Sequence, residues 1–175
     1  DVYKRQAHQR FQALSKFFTA NHENDEEDKE TIVPIVLSCM SMAKGRVGAL
    51  IVIERSISLG EIVETGDFID ARVNQRLIEN IFFKNSPLHD GAMIISNRRI
   101  KAAGCILPVS HDLNIPKELG LRHRAAMGVS QSSDAIAVVV SEETGRISVA
   151  MNGEFRLRLS AEDLESLLAS EMKRR

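Results

Sequence analysis

Val47-Gly48-Ala49-Leu50-Ile51-Val52-Ile53, closed by Glu54-Arg55, is an unbroken apolar run ending in charge. A run of this length reads as a β-strand buried on both faces of its sheet. Working outward, Ala92–Ile95 and Ile100–Leu107 read as strands joined by the turn Ser96-Asn97-Arg98-Arg99. Ala135–Val140 and Arg146–Met151 repeat that pattern across Glu142-Glu143-Thr144-Gly145, and Asn152-Gly153 is a hairpin turn into Phe155–Leu159. Helical spacing appears in Thr31–Ala43, with Pro34 in its first turn and Gly45 as its stop, and in Asn74–Phe83 through Leu77, Ile78, Ile81 and Phe82. Ser160 and Asp163 form a capping box ahead of Leu164, Leu167, Leu168 and Met172. Strands alternating with helices, but interrupted by hairpins, predict an α/β fold: a single domain with a mixed central β-sheet flanked by helices.

The 175 residues suit one domain, and a 43% hydrophobic content supplies its core. Residues 1–20 read as an amphipathic helix through Phe11, Leu14 and Phe18. Asn21–Glu30, rich in Glu and Asp, reads as a solvated linker because like charges resist packing. The predicted organisation is an N-terminal helix and acidic linker over 1–30 and a compact domain over 31–175. Lys and Arg total 23 against 24 Asp and Glu. That balance, with one Tyr and no Trp, argues against a nucleic-acid-binding protein. No apolar stretch reaches the ~18 residues of a membrane span. Cys39 and Cys105 form neither a CxxC nor a zinc spacing, which points to a reducing compartment. Asp1 in place of an initiator Met predicts that the chain continues upstream.

P-loop, Rossmann, HExxH and GxSxG signatures are all absent. Three polar interruptions remain. His89-Asp90-Gly91-Ala92 leads into the strand Ala92–Ile95. It reads either as a hairpin turn or as a site where a metal held by Asp90, with His89 as second ligand, meets a phosphate near Gly91. Gly120-Leu121-Arg122-His123-Arg124 opens a helix near Arg122. Cations in a first turn oppose the helix dipole, so this is either an exposed basic start or a phosphate site built from free N–H groups and guanidinium forks. Ser141-Glu142-Glu143 ends a strand and is, on its own, a turn.

In this order, Asp90-Gly91-Ala92 and Arg122-His123-Arg124 resemble the two defining motifs of the diadenylate cyclases. Gly48–Arg55 and Ser141–Gly145 also match, and the likeness runs from Thr31 to Met151. The chain is most similar to the membrane-anchored class. The resemblance implies condensation of two ATP into cyclic di-AMP with release of two pyrophosphates, each 3′-hydroxyl attacking the other α-phosphate across a face-to-face homodimer. It implies Asp90, Arg122, His123 and Arg124 as catalytic, and Gly91, Ala92, Leu107, Leu121, Arg122, Arg124, Ser141 and Glu143 around the nucleotide. Asp90 and His89 would hold a divalent metal, Mg2+ or Mn2+, with Co2+ a further option. Leu121 stands where the family usually carries Thr, and Ile106 where an aromatic is often found. The resemblance further implies a missing N-terminal anchor at the cytoplasmic face of the membrane, with this fragment itself soluble. A regulatory protein partner is left unidentified, and no nucleic acid is expected. The alternative is a catalytically silent adenine-nucleotide sensor.

Overall fold

The structure, a computed structural model, describes residues 23–173. Along the chain come α1 (Glu23–Gly45), β1 (Ala49–Ile53), α2 (Gly60–Val63), β2 (Asp67–Arg72), α3 (Gln75–Ile81), β3 (Ala92–Ser96) and β4 (Arg99–Cys105). Then follow α4 (Leu121–Ser132), β5 (Ile136–Val140), β6 (Ile147–Met151), β7 (Glu154–Arg156) and α5 (Ala161–Met172). The seven strands form one sheet in the order β2-β4-β3-β1-β5-β6-β7. β1 runs parallel to β3, with Ile51 opposite Met93, and antiparallel to β5, with Ala49 opposite Val140. Every other pairing is antiparallel, so the expected mixed sheet is what forms.

All residues of β1, β3 and β5 are buried, because alternate side chains enter cores on opposite faces. Ala49, Ile51 and Ile53 pack with Ile35, Val36 and Cys39 of α1, Ile78 of α3 and Leu164 and Leu168 of α5. Leu50 and Val52 pack on the other face with Ala126 and Val129 of α4 and Leu59 beside α2. The result is helix, sheet and helix in three layers. Two hairpins turn as the sequence predicts: Asn97 and Arg98 have φ of 49° and 61°, Asn152 and Gly153 of 54° and 75°. Positive φ at both central residues matches the right-handed twist of the flanking strands. Ser160 Oγ accepts from Asp163 N–H, and the Asp163 carboxylate accepts from Ser160 N–H, completing the capping box.

The acidic stretch departs from expectation. From Glu23 onward it is helix, continuous with the apolar part of α1, so a boundary at residue 30 falls inside a helix and Pro34 lies well within it. Cations from distant segments explain this. Arg98, at the β3–β4 turn, donates to Asp28 at 3.0 Å and also to Glu27, while Lys173 pairs with Asp25 at 2.9 Å. Asp28 is consequently buried rather than solvated. β2 was not expected either; it is an exposed edge strand whose Asp70, at φ 53°, bulges and pairs with Arg99. The helix read in residues 1–20 lies outside the described residues.

At its C-terminal end β1 is held by polar groups. Glu54 accepts from Leu59 N–H and Ser96 Oγ, and Arg55 donates to Asp134 O and Glu171. Asp134 is ionised below the usual carboxylate range: burial pushes its carboxyl up, but N–H donors of Ile57 and Ser56 and the charge of Arg55 outweigh that. Both cysteines are free and buried, and burial pushes the Cys39 thiol up to about 12 and the Cys105 thiol to about 11. Neither is a nucleophile at neutral pH.

Candidate active site

Because β5 runs opposite to β1 and β3, the end of β5 meets the beginnings of the other two at one edge of the sheet. His89-Asp90-Gly91 precedes β3, Ser141-Glu142-Glu143 follows β5, and α4 starts beside them. All three segments line one cleft of about 580 Å³. Leu50, Val139 and Val140 form its apolar floor, and Val109, Leu121 and Ala125 extend the apolar wall. Leu121 is itself largely exposed at the rim.

Gly120 offers no side chain to cap α4, and both cations of the first turn follow it directly. The helix therefore opens at the cleft wall with unsatisfied N–H groups and the positive end of its dipole. His123, buried at the same end, packs edge-on against Phe155 with ring centroids 6.2 Å apart. Burial first, and the Arg122 guanidinium second, hold its imidazole below the ordinary histidine range, against a smaller upward pull from Glu143. His123 is thus held toward its neutral form. A depressed folded value means that the unfolded chain takes up a proton first as pH falls below ~6.5. Stability from this group is therefore full above that pH and declines as pH drops toward the folded value. Urea titrations between pH 7 and 5.5 should show a smaller loss for His123→Gln than for the wild type; equal losses would assign the acid sensitivity elsewhere.

Asp90 is not buried: its side chain is 86% exposed at the cleft mouth. His89 Nδ1 lies 2.6 Å from Ser86 O, an acceptor only, so Nδ1 carries a hydrogen. The other nitrogen, Nε2, is 3.3 Å from Asp90 Oδ1. A backbone carbonyl accepting from Nδ1–H is the usual orientation of a metal-binding imidazole, and it leaves Nε2 facing Asp90 Oδ1. This pair fits a divalent cation. No three His, Cys, Asp or Glu side chains converge among the described residues, so phosphate and water would complete the shell, as Mg2+ ordinarily requires.

Other expected site residues are arranged differently. Arg124 reaches away from the cleft, toward Ser110 O at 3.5 Å and Asp112 O at 3.4 Å. Two residues on a helix project about 200° apart, so Arg122 and Arg124 cannot both face one side. Ala92 and Leu107 are buried in the core beneath rather than lining the cleft. Gly91 does line the cleft, and at φ 97° it must be glycine because a Cβ would lie 2.6 Å from Cys105 O of β4. Ser141 Oγ accepts from Glu143 and Thr144 N–H and shapes the turn that carries both glutamates. Glu142, which sequence reading left as a turn residue, pairs with Arg122 at 3.4 Å.

The DAC family, described as the DisA bacterial checkpoint controller nucleotide-binding domain, matches residues 36–155. The chain belongs to this family. Among curated DAC relatives, it is 47% identical over 150 residues to cyclic di-AMP synthase CdaA of Bacillus subtilis, covering 86% of this chain and 55% of the relative. It is 43% identical over 148 residues to a diadenylate cyclase of Listeria monocytogenes, covering 85% and 54%. The chain therefore spans about half the length of these curated relatives. A crystal structure of a double mutant of DacA from Staphylococcus aureus superposes with a TM-score of 0.82 at 46% identity, covering 84% of this chain and 98% of that one. A hypothetical membrane spanning protein from Bacillus cereus gives 0.69 at 42% identity, covering 72% and 62%.

Proposed function

We propose that this chain is a diadenylate cyclase domain, condensing two ATP into cyclic di-AMP and releasing two pyrophosphates. The observation that carries the reading is the convergence of Asp90-Gly91, Arg122-His123 and Ser141-Glu143 on a single cleft in a DAC-family chain. At about 580 Å³ the cleft is of ordinary size for a small-molecule ligand, and we assign it one nucleotide. Each 3′-oxygen must bond to the α-phosphorus of the other ATP while the bond from that phosphorus to pyrophosphate breaks. Two domains facing each other bring the four reacting atoms together, and proximity is their main contribution.

Within each half, Arg122 and the first turn of α4 bind the phosphate chain and stabilise the departing pyrophosphate. His123 holds that turn in place through its packing on Phe155. Leu50, Val109 and Leu121 offer aliphatic surface to the adenine. Asp90 with His89 would hold a divalent cation, its shell completed by phosphate and water; when bound, such an ion neutralises phosphate charge and acidifies the attacking hydroxyl. Arg124 keeps segment 110–112 on α4 rather than touching phosphate.

Among the described residues no helix is long and apolar enough to cross a membrane. We place the domain at the cytoplasmic face of the membrane, in keeping with its likeness to the membrane spanning protein of Bacillus cereus; an anchor there would confine copies and raise their effective concentration. The test is incubation of the domain with ATP and Mg2+, Mn2+ or Co2+ in turn, with mass identification of the product. Cyclic di-AMP is expected, at a specific activity that rises with enzyme concentration until dimers dominate. An excess of Asp90→Asn should poison wild-type chains through mixed dimers. ATP binding without product under all three metals would make the domain a sensor, and flat specific activity from a monomer would remove the dimer.

A further inference from the structure

Gly48 immediately precedes β1, and a Cβ built on it would lie 2.5 Å from both Cζ and Nη1 of Arg122 and 2.9 Å from Nη2. Three guanidinium atoms nearly equidistant from one point mean that the group lies face-on across the Gly48 backbone. That contact occupies the flat face and leaves the in-plane N–H donors free to form bonds at the edges. Glu142 lies beside the guanidinium, with Oε1 3.4 Å from Nη1, an ion pair without a formed hydrogen bond. Three separate elements thus meet here: the helix carrying Arg122, the strand entrance at Gly48 and the turn after β5 carrying Glu142. Ala49 pairs with Val140, which fixes the last two as neighbours.

We infer that Gly48 is the seat that orients Arg122 for phosphate, and that Glu142 is a built-in counter-anion that phosphate must displace. The inference rests on the cyclase reading and deepens it by assigning two positioning residues to the same cleft. Glu142 is suited to leave. Its side chain is 54% exposed against 24% for Arg122, so the pair is solvated and weakly held. The seat does not depend on it, since the face of the guanidinium is fixed by Gly48 whichever anion occupies the edge. When pyrophosphate departs, the carboxylate returns to Nη1 and lowers the affinity of the site for the leaving product. Glu142 therefore weakens phosphate binding, the opposite of what a ligand-contacting residue does.

The test measures binding of inorganic tripolyphosphate by calorimetry, with steady-state turnover of ATP alongside. Gly48→Ala meets only the far end of a flexible side chain and should fold normally, as circular dichroism will report. It should displace Arg122 and weaken tripolyphosphate by roughly tenfold, the scale of one charge-assisted contact. Arg122→Ala should weaken it similarly, and the double variant should be no worse than either, because both remove the same interaction. Glu142→Gln should tighten tripolyphosphate about threefold, on the scale of a surface ion pair. It should lower KM for ATP and slow product release, and the gain should vanish in an Arg122→Ala background. Additive losses from Gly48→Ala and Arg122→Ala, or weaker binding by Glu142→Gln, would overturn the inference. If the wild type cyclises ATP and Arg122→Ala loses affinity while Gly48→Ala and Glu142→Gln match the wild type, this inference alone fails; if the wild type binds neither probe, the cyclase reading falls with it.

Discussion

Asp90→Asn is expected to leave the domain folded and to reduce cyclic di-AMP formation by at least about a thousandfold. The first half follows from exposure: the carboxylate is 86% exposed and pairs with His89 at the cleft mouth, so its loss removes nothing from the core. The second half follows from charge. A metal-bound carboxylate contributes several kcal/mol of transition-state stabilisation, and each ~1.4 kcal/mol is a factor of ten in rate. Thermal midpoint and circular dichroism should match the wild type while product, followed by mass, disappears. A variant that retained near wild-type turnover would exclude Asp90 from the reaction.

Gly128→Ala should do the reverse, damaging the fold first and activity as a result. In an exposed helix, replacing Gly by Ala normally stabilises by about 1 kcal/mol. Here a Cβ would lie 1.9 Å from Pro108 O and 2.8 Å from Pro108 C, both backbone atoms that cannot rotate away. α4 must therefore lift from segment 108–112, to which Ser110 N–H and the Arg124 side chain also tie it. Overpacking of this kind costs about 3 kcal/mol, which in a domain of this size lowers the melting temperature by roughly 6–12 °C. Because α4 carries Arg122 and His123, phosphate affinity should fall with it. A melting temperature equal to or above wild type would mean that the helix accommodates the methyl group freely.

The contrast between these two positions reflects what was legible in the sequence. Asp90 stands out because a charge beside glycine at the mouth of an apolar strand is a local pattern, open to a turn reading as well as a site reading until the family motif is added; β1, the Asn152-Gly153 turn and the Ser160–Asp163 cap are local in the same sense. Gly128 gave no sign, since its partner Pro108 touches it only after α4 has docked. β2 was missed because an edge strand reading Asp67-Phe68-Ile69-Asp70-Ala71-Arg72 has one face in water and a bulge that breaks its period. The acidic run looked solvated because its counter-charges, Arg98 and Lys173, are remote in sequence. The two arginines could have been separated by helix geometry alone, given that α4 was expected to begin near Arg122. Which of them faces the cleft required the sheet.

The pinning of Glu27 and Asp28 by Arg98, and of Asp25 by Lys173, gives α1 a mechanical character. At 23 residues it is a shaft about 34 Å long, clamped near Glu23 and buried along its apolar part. Torque applied at Glu23 reaches the sheet instead of being lost in a swivel. For anything fused in helical continuity upstream, the cleft's compass bearing is then a matter of phase: one inserted residue turns the domain by about 100° and moves it about 1.5 Å along the axis, and seven nearly restore its heading.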